Sequence, residues 1–238
     1  MPARDAALAV TEQLKAAAAL VAALRNAEDL GTNLVARLLM GRPFVAFERY
    51  PAEDVLDRGT GAQYYFHAHD DNASARKGGW SEAGHIHCFM NPEGNGVSKP
   101  MHHLVAIAMN RFGRPVGLFT VNRWVTDENW VPADVAIRLA RRFALADPAP
   151  ESRFVTAMYA LFRAEVETLL AARDSRIAAW RRDHPDRDAL EDRALEITSV
   201  LKLDLEAKLA TLRAHVEGGE PVVPVHDADR EESRREDF

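Results

Sequence analysis

The sequence predicts an α+β protein: a small antiparallel sheet of about four strands (residues 60–125), packed with N-terminal helices and a C-terminal long helical hairpin. Two observations lead to this fold class. Amphipathic, helix-forming stretches occupy both ends of the chain, whereas the middle consists of short runs of aromatic and β-branched residues. Gly, Asn, Asp and Pro separate those runs, which is typical of consecutive antiparallel strands.

The first 40 residues predict two helices. An Ala-rich segment favours helix, and its leucines fall near a 3.6-residue period at Leu8, Leu14, Leu20 and Leu24. Gly31 and Thr32 interrupt the pattern. A second helix is therefore expected from about Asn33 to Met40, ended by Gly41.

Four segments of the middle region predict strands: residues 63–69, 84–90, 102–109 and 115–122. Asn110 to Gly113 is typical of a tight turn between the third and fourth strands. Because side chains alternate along a strand, Cys88 is expected to point away from His85 and His87, as a small buried residue.

The C-terminal part predicts further helices. Pro132 suits the first turn of a helix through about Leu145. Two long helices are then expected at about 151–182 and 187–216, forming an antiparallel hairpin. This organisation predicts an α+β core domain carrying the histidines (1–148), a helical hairpin (149–218) and a disordered charged tail (219–238).

Composition excludes several classes of protein. The net charge of -6 is unlike that of nucleic-acid-binding domains, which are usually basic. The single cysteine permits no internal disulfide. We expect no membrane partner and a cytoplasmic location, because the chain shows neither an export signal nor an apolar run of about 18 residues. The long amphipathic helices favour a homodimer.

Six of the nine histidines lie between His67 and His103. In each His-x-His pair the two side chains share one face of a strand, about 6.6 Å apart at Cα. If the strands carrying the pairs are neighbours, four imidazoles converge on one point. The sequence therefore predicts a site for a divalent transition metal (Fe, Zn or Mn), with ligands drawn from His67, His69, His85, His87 and His103. A polar network of histidines without metal is the alternative.

Two glutamates are candidates for a catalytic base. Glu82 precedes His85 by three residues, and Glu128 follows the last predicted strand. A catalytic metal site needs three protein ligands, so surplus histidines and carboxylates are available as hydrogen-bond partners or bases.

Asn122, Arg123 and Trp124 are candidates for a cofactor- or substrate-binding wall. If the fourth strand continues, Asn122 and Trp124 share a face, and an indole beside polar groups is typical of a small-molecule pocket. The alternative is structural: Trp124 packs under the following helix, and Arg123 pairs with Asp127 or Glu128.

The histidine segments resemble two known patterns. Residues 64–69 (YYFHAH), 84–87 (GHIH) and 122–126 (NRWVT) are similar to an uncharacterised bacterial family, a domain of unknown function with a YYxHAH…GHxH…NRWVT signature. That similarity covers roughly residues 45–135. A weaker similarity links Gly79, His85, His87 and Glu93 to the first cupin motif, whereas Thr120 stands where the second motif has a histidine.

Three functions are consistent with these residues. The first is a metal-dependent enzyme acting on a small molecule, either an oxidoreductase or a hydrolase or lyase. The second is a non-catalytic metal-binding or sensing module that dimerises through its long helices. The third is a metal-free scaffold whose histidines hydrogen-bond a ligand.

Overall fold

A computed structural model describes residues 2–69, 79–92 and 101–218. The chain divides into two compact units, one ending at Leu205 and the other beginning at Glu206. The first unit contains the sheet and the histidines. The second contains most of helix α7 (Leu205–Val216).

Among the described residues, seven strands form one antiparallel sheet: β1 (Arg49–Leu56), β2 (Ala62–Ala68), β3 (Gly84–Met90), β4 (His102–His103), β5 (Ala106–Met109), β6 (Pro115–Val121) and β7 (Ile197–Lys202). Their order is β1-β2-β3-β5-β6-β7, with β4 paired to β3. The described helices of the first unit are α1 (Pro2–Asp29), α2 (Leu34–Leu38), α3 (Arg123–Thr126), α4 (Ala133–Ala140), α5 (Pro150–Leu161) and α6 (Arg163–Asp183). The predicted α+β class with an antiparallel sheet is confirmed.

Local signals in the sequence account for the first boundaries. Gly31 adopts a left-handed φ of 68° and follows α1, as its lack of a Cβ permits. The Asn33 side chain caps α2 by accepting a hydrogen bond from the Ala36 amide. In the predicted tight turn, Asn110 Oδ1 accepts from the amides of Phe112 and Arg114. These boundaries were correctly predicted.

One face of the sheet forms part of the main core. Phe66, Ile86 and Cys88 are buried there, as expected from the alternation. Helix α5 is tied to the strands by Tyr64 Oη, 3.1 Å from Ser152 Oγ. The third predicted strand is divided into β4 and β5.

The division between β4 and β5 has a visible cause. Tyr159 Oη of α5 accepts a hydrogen bond from the Val105 amide and donates one to the Val105 carbonyl. Leu104 still donates to the Cys88 carbonyl. The backbone at Val105 therefore bonds to a helix side chain instead of a neighbouring strand.

The second arm of the predicted hairpin, a continuous helix over 187–216, is wrong. Residues 197–202 form β7, paired with β6 from Gly117 to Val121, and a helix resumes only at Leu205. The segment is rich in β-branched residues, and an available edge of β6 satisfies its backbone groups. A short apolar run has no decisive period, so pairing decided the outcome.

The remaining predictions about helices, domain boundaries and the C-terminal tail have different outcomes. The predicted helix over 151–182 is observed as α5 and α6, with a break at Phe162. The boundary after residue 148 and the homodimer stay predictions, and the predicted tail (219–238) lies outside the described residues. Within the described ranges, we find no helix with the length and apolar character needed to cross a membrane.

Candidate metal centre

Strand register brings the histidines together. In the pairing of β2 with β3, His67 lies opposite His85 and Tyr65 lies opposite His87. Side chains of alternate residues share a face, so both histidine pairs point to the same side of the sheet. His69 follows β2 directly and stays in register, because its amide donates to the Ala83 carbonyl.

The imidazole rings pack closely on this face. Ring centroids are 4.6 Å apart for His67 and His69, 4.7 Å for His69 and His85, and 4.5 Å for His85 and His87. His67, His69 and His85 each offer a ring nitrogen, and these three nitrogens all lie within 4.8 Å of one another. These three histidines are therefore placed to hold a metal ion, whereas the predicted ligand roles of His87 and His103 stay predictions.

The three-histidine group fits a divalent transition metal by its chemistry and spacing. Imidazole nitrogen is a preferred donor for Zn²⁺, Fe²⁺ and Mn²⁺. Nitrogens held about 2.1 Å from one ion lie roughly 3.0–3.4 Å apart. The three nitrogens, all within 4.8 Å of one another, are therefore near the spacing that a shared ion needs.

Glu82 and Trp80 orient His85. Glu82 Oε1 lies 3.3 Å from His85 Nδ1, and the Trp80 indole donates to Glu82 Oε2 at 2.9 Å. Burial alone would raise the pKa of Glu82, but its hydrogen bonds with His85 and Trp80 outweigh burial and lower it. A carboxylate only accepts hydrogen bonds, so His85 carries a proton on Nδ1, and in the neutral imidazole Nε2 is the nitrogen with the lone pair.

A row of hydrogen bonds continues from His85. Its Nε2 lies 2.9 Å from His87 Nε2, and His87 Nδ1 lies 3.0 Å from His103 Nε2. Burial lowers the pKa of His87 well below its usual value, and burial followed by the charge of Arg173 lowers that of His103 to about 3. Both imidazoles are therefore neutral near pH 7. When His85 is neutral with its proton on Nδ1, His103 donates to His87 and His87 donates to His85.

A cavity of about 200 Å³ opens beside these rings. The histidines at its wall are His67, His69, His85 and His87, and Glu82 and Glu196 add carboxylates. The other lining residues are apolar or aromatic: Phe47, Trp80, Phe119, Val121, Val125 and Ile197. A mostly apolar pocket with a few polar groups is the usual form of a small-molecule site.

Asn122, Arg123 and Trp124 lie elsewhere than expected. The strand ends at Val121, and Asn122 caps α3. The Asn122 amide donates to the carbonyls of Ala189 and Leu195, and the Trp124 indole also donates to Leu195. None of the three is among the described residues that line the histidine cavity, so their binding role stays a prediction.

Arg123 forms an ion pair with Glu191 at 2.5 Å, a partner that the sequence had not indicated. Glu128 is also displaced from the histidine cavity. One of its oxygens accepts a hydrogen bond from the His103 amide, and the residue lines a different cavity. Its assignment as a base stays a prediction that its position does not favour.

Trp80 and Glu196 are site residues that sequence reasoning missed. Trp80 belongs to the segment just before Glu82, and an indole there was a usable signal. Glu196 reaches the cavity because it immediately precedes β7. That position was hidden by the incorrect helix prediction for this segment.

Comparison with known families gives one result. The model of a family described as Domain of unknown function (DUF6969) matches residues 14–203, whereas no curated protein and no solved structure gives a match. The expected similarity to a domain of unknown function is confirmed, and the detailed signature and the cupin similarity stay predictions. The matched region includes every strand of the seven-stranded sheet. The chain belongs to the DUF6969 family.

Proposed function

We propose that this chain is a metal-dependent enzyme that acts on a small molecule, with His67, His69 and His85 as the metal ligands. The observation that carries the proposal is the meeting of three imidazoles, with nitrogens within 4.8 Å of one another, at the wall of a cavity. Three protein ligands are typical of catalytic metal sites, which also bind water or substrate.

The surrounding residues support a catalytic role. A bound divalent metal would act as a Lewis acid or, in the case of iron, as a redox centre. Glu82 keeps His85 Nδ1 protonated, so Nε2 would be the nitrogen offered to the metal, and metal binding there would replace the hydrogen bond from His87. Glu196 lies at the cavity wall, where a carboxylate can accept a proton from a substrate or a water molecule.

The cavity limits the size and polarity of the substrate. Its volume of about 200 Å³ compares with the roughly 150 Å³ that accommodates benzene. Phe119, Val121 and Ile197 line it with apolar surface. We therefore expect a compact substrate with an apolar part and one group that reaches the imidazoles.

Metal analysis of protein prepared without a histidine tag tests the proposal. We expect one tightly bound metal per chain, lost in the double variant His67→Ala/His85→Ala. His215→Ala is a matched control, because His215 is an exposed histidine on α7. Absence of stoichiometric metal after reconstitution, or a double variant that keeps it, would contradict the assignment.

The second candidate function is a non-catalytic metal-binding module, and one contact favours it. His85 Nε2 and His87 Nε2 are 2.9 Å apart, which suits two nitrogens binding the same ion. A fourth imidazole would fill a tetrahedral shell, as in structural sites. Recruitment of His87 would require its Nε2 proton to move, which reverses the hydrogen bond to His103.

Cobalt substitution separates the two candidates. If the protein is an enzyme, His87→Ala keeps cobalt, and azide binds to the metal and changes the visible spectrum of the wild type and of the variant. If it is a non-catalytic metal-binding module, azide leaves the wild-type spectrum unchanged, and His87→Ala binds cobalt much more weakly than the wild type. The second pattern would refute the catalytic proposal while retaining the metal site.

A further inference from the structure

We infer that a second cavity, next to the histidine face, binds a small primary amine through the carboxylate of Glu128. The cavity has a volume of about 170 Å³ and is lined by Tyr65, Phe89 and Glu128 among others. The rings of Tyr65 and Phe89 contact those of His87 and His103, with centroids 5.1 Å apart in each pair. The two cavities have different linings, and the contact between Tyr65 and His87 joins a residue of one lining to a residue of the other.

Glu128 is a buried acid, and one of its two carboxyl oxygens has no hydrogen-bond partner among the described residues. The residue is 7% exposed, and its Oε2 accepts a hydrogen bond from the His103 amide. Its Oε1 is buried and has no hydrogen-bond partner among residues 2–69, 79–92 and 101–218. Burial raises the pKa of this carboxyl to about 8, against the effects of the His103 amide and nearby arginines. A bound cation would offset that cost of burial.

The nearby arginines form their ion pairs with other carboxylates, and Arg123 Nε is a buried donor without a partner among the described residues. Arg173 bonds to Asp174 and the Val131 carbonyl, and Arg123 pairs with Glu191. Both arginines act on Glu128 through their charge, which lowers the pKa of its carboxyl. When the carboxyl is ionised, Oε1 therefore still needs a donor.

The rest of the cavity favours a cation over an anion. Thr126 Oγ1 is a second buried atom without a hydrogen-bond partner in the part of the chain that the structure describes. Asp54 is already paired with Arg49 at 2.6 Å, whereas Asp127 adds an exposed carboxylate. An ammonium group has three donors and no acceptor, which matches a carboxylate oxygen and a hydroxyl.

The volume and lining of the cavity also indicate the size and polarity of the part of the ligand that carries the ammonium group. About 150 Å³ accommodates a benzene ring, so the cavity suits an amine of similar size. Phe89 and Met101 provide apolar surface for that body. Benzylamine is a suitable probe, and benzyl alcohol is its neutral counterpart of nearly the same shape.

Calorimetric titration of metal-free protein with benzylamine tests the inference independently of the metal site. We expect saturable binding, weaker by about tenfold or more in Glu128→Gln, because a hydrogen bond to a charged group contributes about 1.5–3 kcal/mol. Benzyl alcohol should bind at least about tenfold more weakly than benzylamine to the wild type, for the same reason. Asp134→Asn removes an equal charge at an exposed position and should bind like the wild type.

Two outcomes would overturn the inference: no saturable binding at millimolar benzylamine, or equal affinity in Glu128→Gln and wild type. Thermal unfolding establishes whether that variant is folded. If it is not, Thr126→Val provides the test, since loss of one neutral hydrogen bond should weaken binding by about two- to tenfold. Unchanged affinity in folded Thr126→Val would then refute the site.

Discussion

Gly117→Ala should weaken metal binding although Gly117 is not one of the proposed ligands. A Cβ built on Gly117 would lie 2.5 Å from Cη2 and 2.6 Å from Cζ2 of the Trp80 indole. Ordinary carbon contacts are about 3.5–4.0 Å, so the ring must move by roughly 1 Å. Trp80 donates the 2.9 Å hydrogen bond that fixes Glu82, and Glu82 orients His85. The substitution therefore acts on the metal site through two intermediate side chains.

The size of the effect follows from these contacts. Overpacking costs about 1–3 kcal/mol, and replacement of glycine by alanine returns about 0.4–1 kcal/mol through the unfolded state. We expect the free energy of unfolding to fall by about 0.5–2 kcal/mol. Loss of a group that orients a ligand reduces metal affinity by about 10- to 100-fold.

Competition with a chromophoric chelator measures the affinity, and urea unfolding measures the stability. A double-mutant cycle isolates the contact: in a Trp80→Ala background, Gly117→Ala should have little further effect on either quantity. Trp80→Phe removes the indole donor and should reproduce much of the affinity loss. Wild-type affinity in Gly117→Ala, or an equal loss with and without Trp80, would refute the reasoning.

Three further predictions concern stability. Burial raises the pKa of Glu128 from 4.5 to about 8, so its contribution to the free energy of unfolding is fully present below about pH 4.5 and is lost as pH rises through 8. The free energy of unfolding of metal-free Glu128→Gln should therefore depend less on pH over this window than that of the wild type. Parallel pH profiles of the two proteins would contradict the prediction. Asn122→Ala leaves the Ala189 carbonyl without its donor and removes one of the two donors to the Leu195 carbonyl, which keeps the Trp124 indole. The variant should cost about 1–3 kcal/mol in urea unfolding, whereas a loss below about 0.5 kcal/mol would contradict the prediction. Metal at about 100 times its Kd should stabilise the wild type by about 2.7 kcal/mol, and an equal gain in His67→Ala/His85→Ala would rule out this site.

The histidine site was largely predictable because it depends on a local rule. Alternate residues of a strand point the same way, so each His-x-His pair had to present two imidazoles together. The turn at Asn110 and the cap at Asn33 were equally local, since their side chains bond to amides within four residues. These features needed no knowledge of distant segments.

Features that depend on distant segments were not predictable in the same way. The close approach of Trp80 to Gly117 joins a loop to a strand more than thirty residues away. Residues 197–202 had an ambiguous apolar pattern, and their pairing with β6 made them a strand. The same pairing brought Glu196 to the cavity, while the end of β6 at Val121 turned Asn122 into a helix cap.

By itself, the sequence determined which side chains share a face and where several elements begin and end. Those properties follow from backbone geometry over a few residues. Only the tertiary structure decided that the nitrogens of His67, His69 and His85 lie within 4.8 Å of one another, that His87 bonds to both His85 and His103, and that Glu128 lies in another cavity. Distances between side chains on different strands depend on register and on the segments packed above them, which are set by the whole chain.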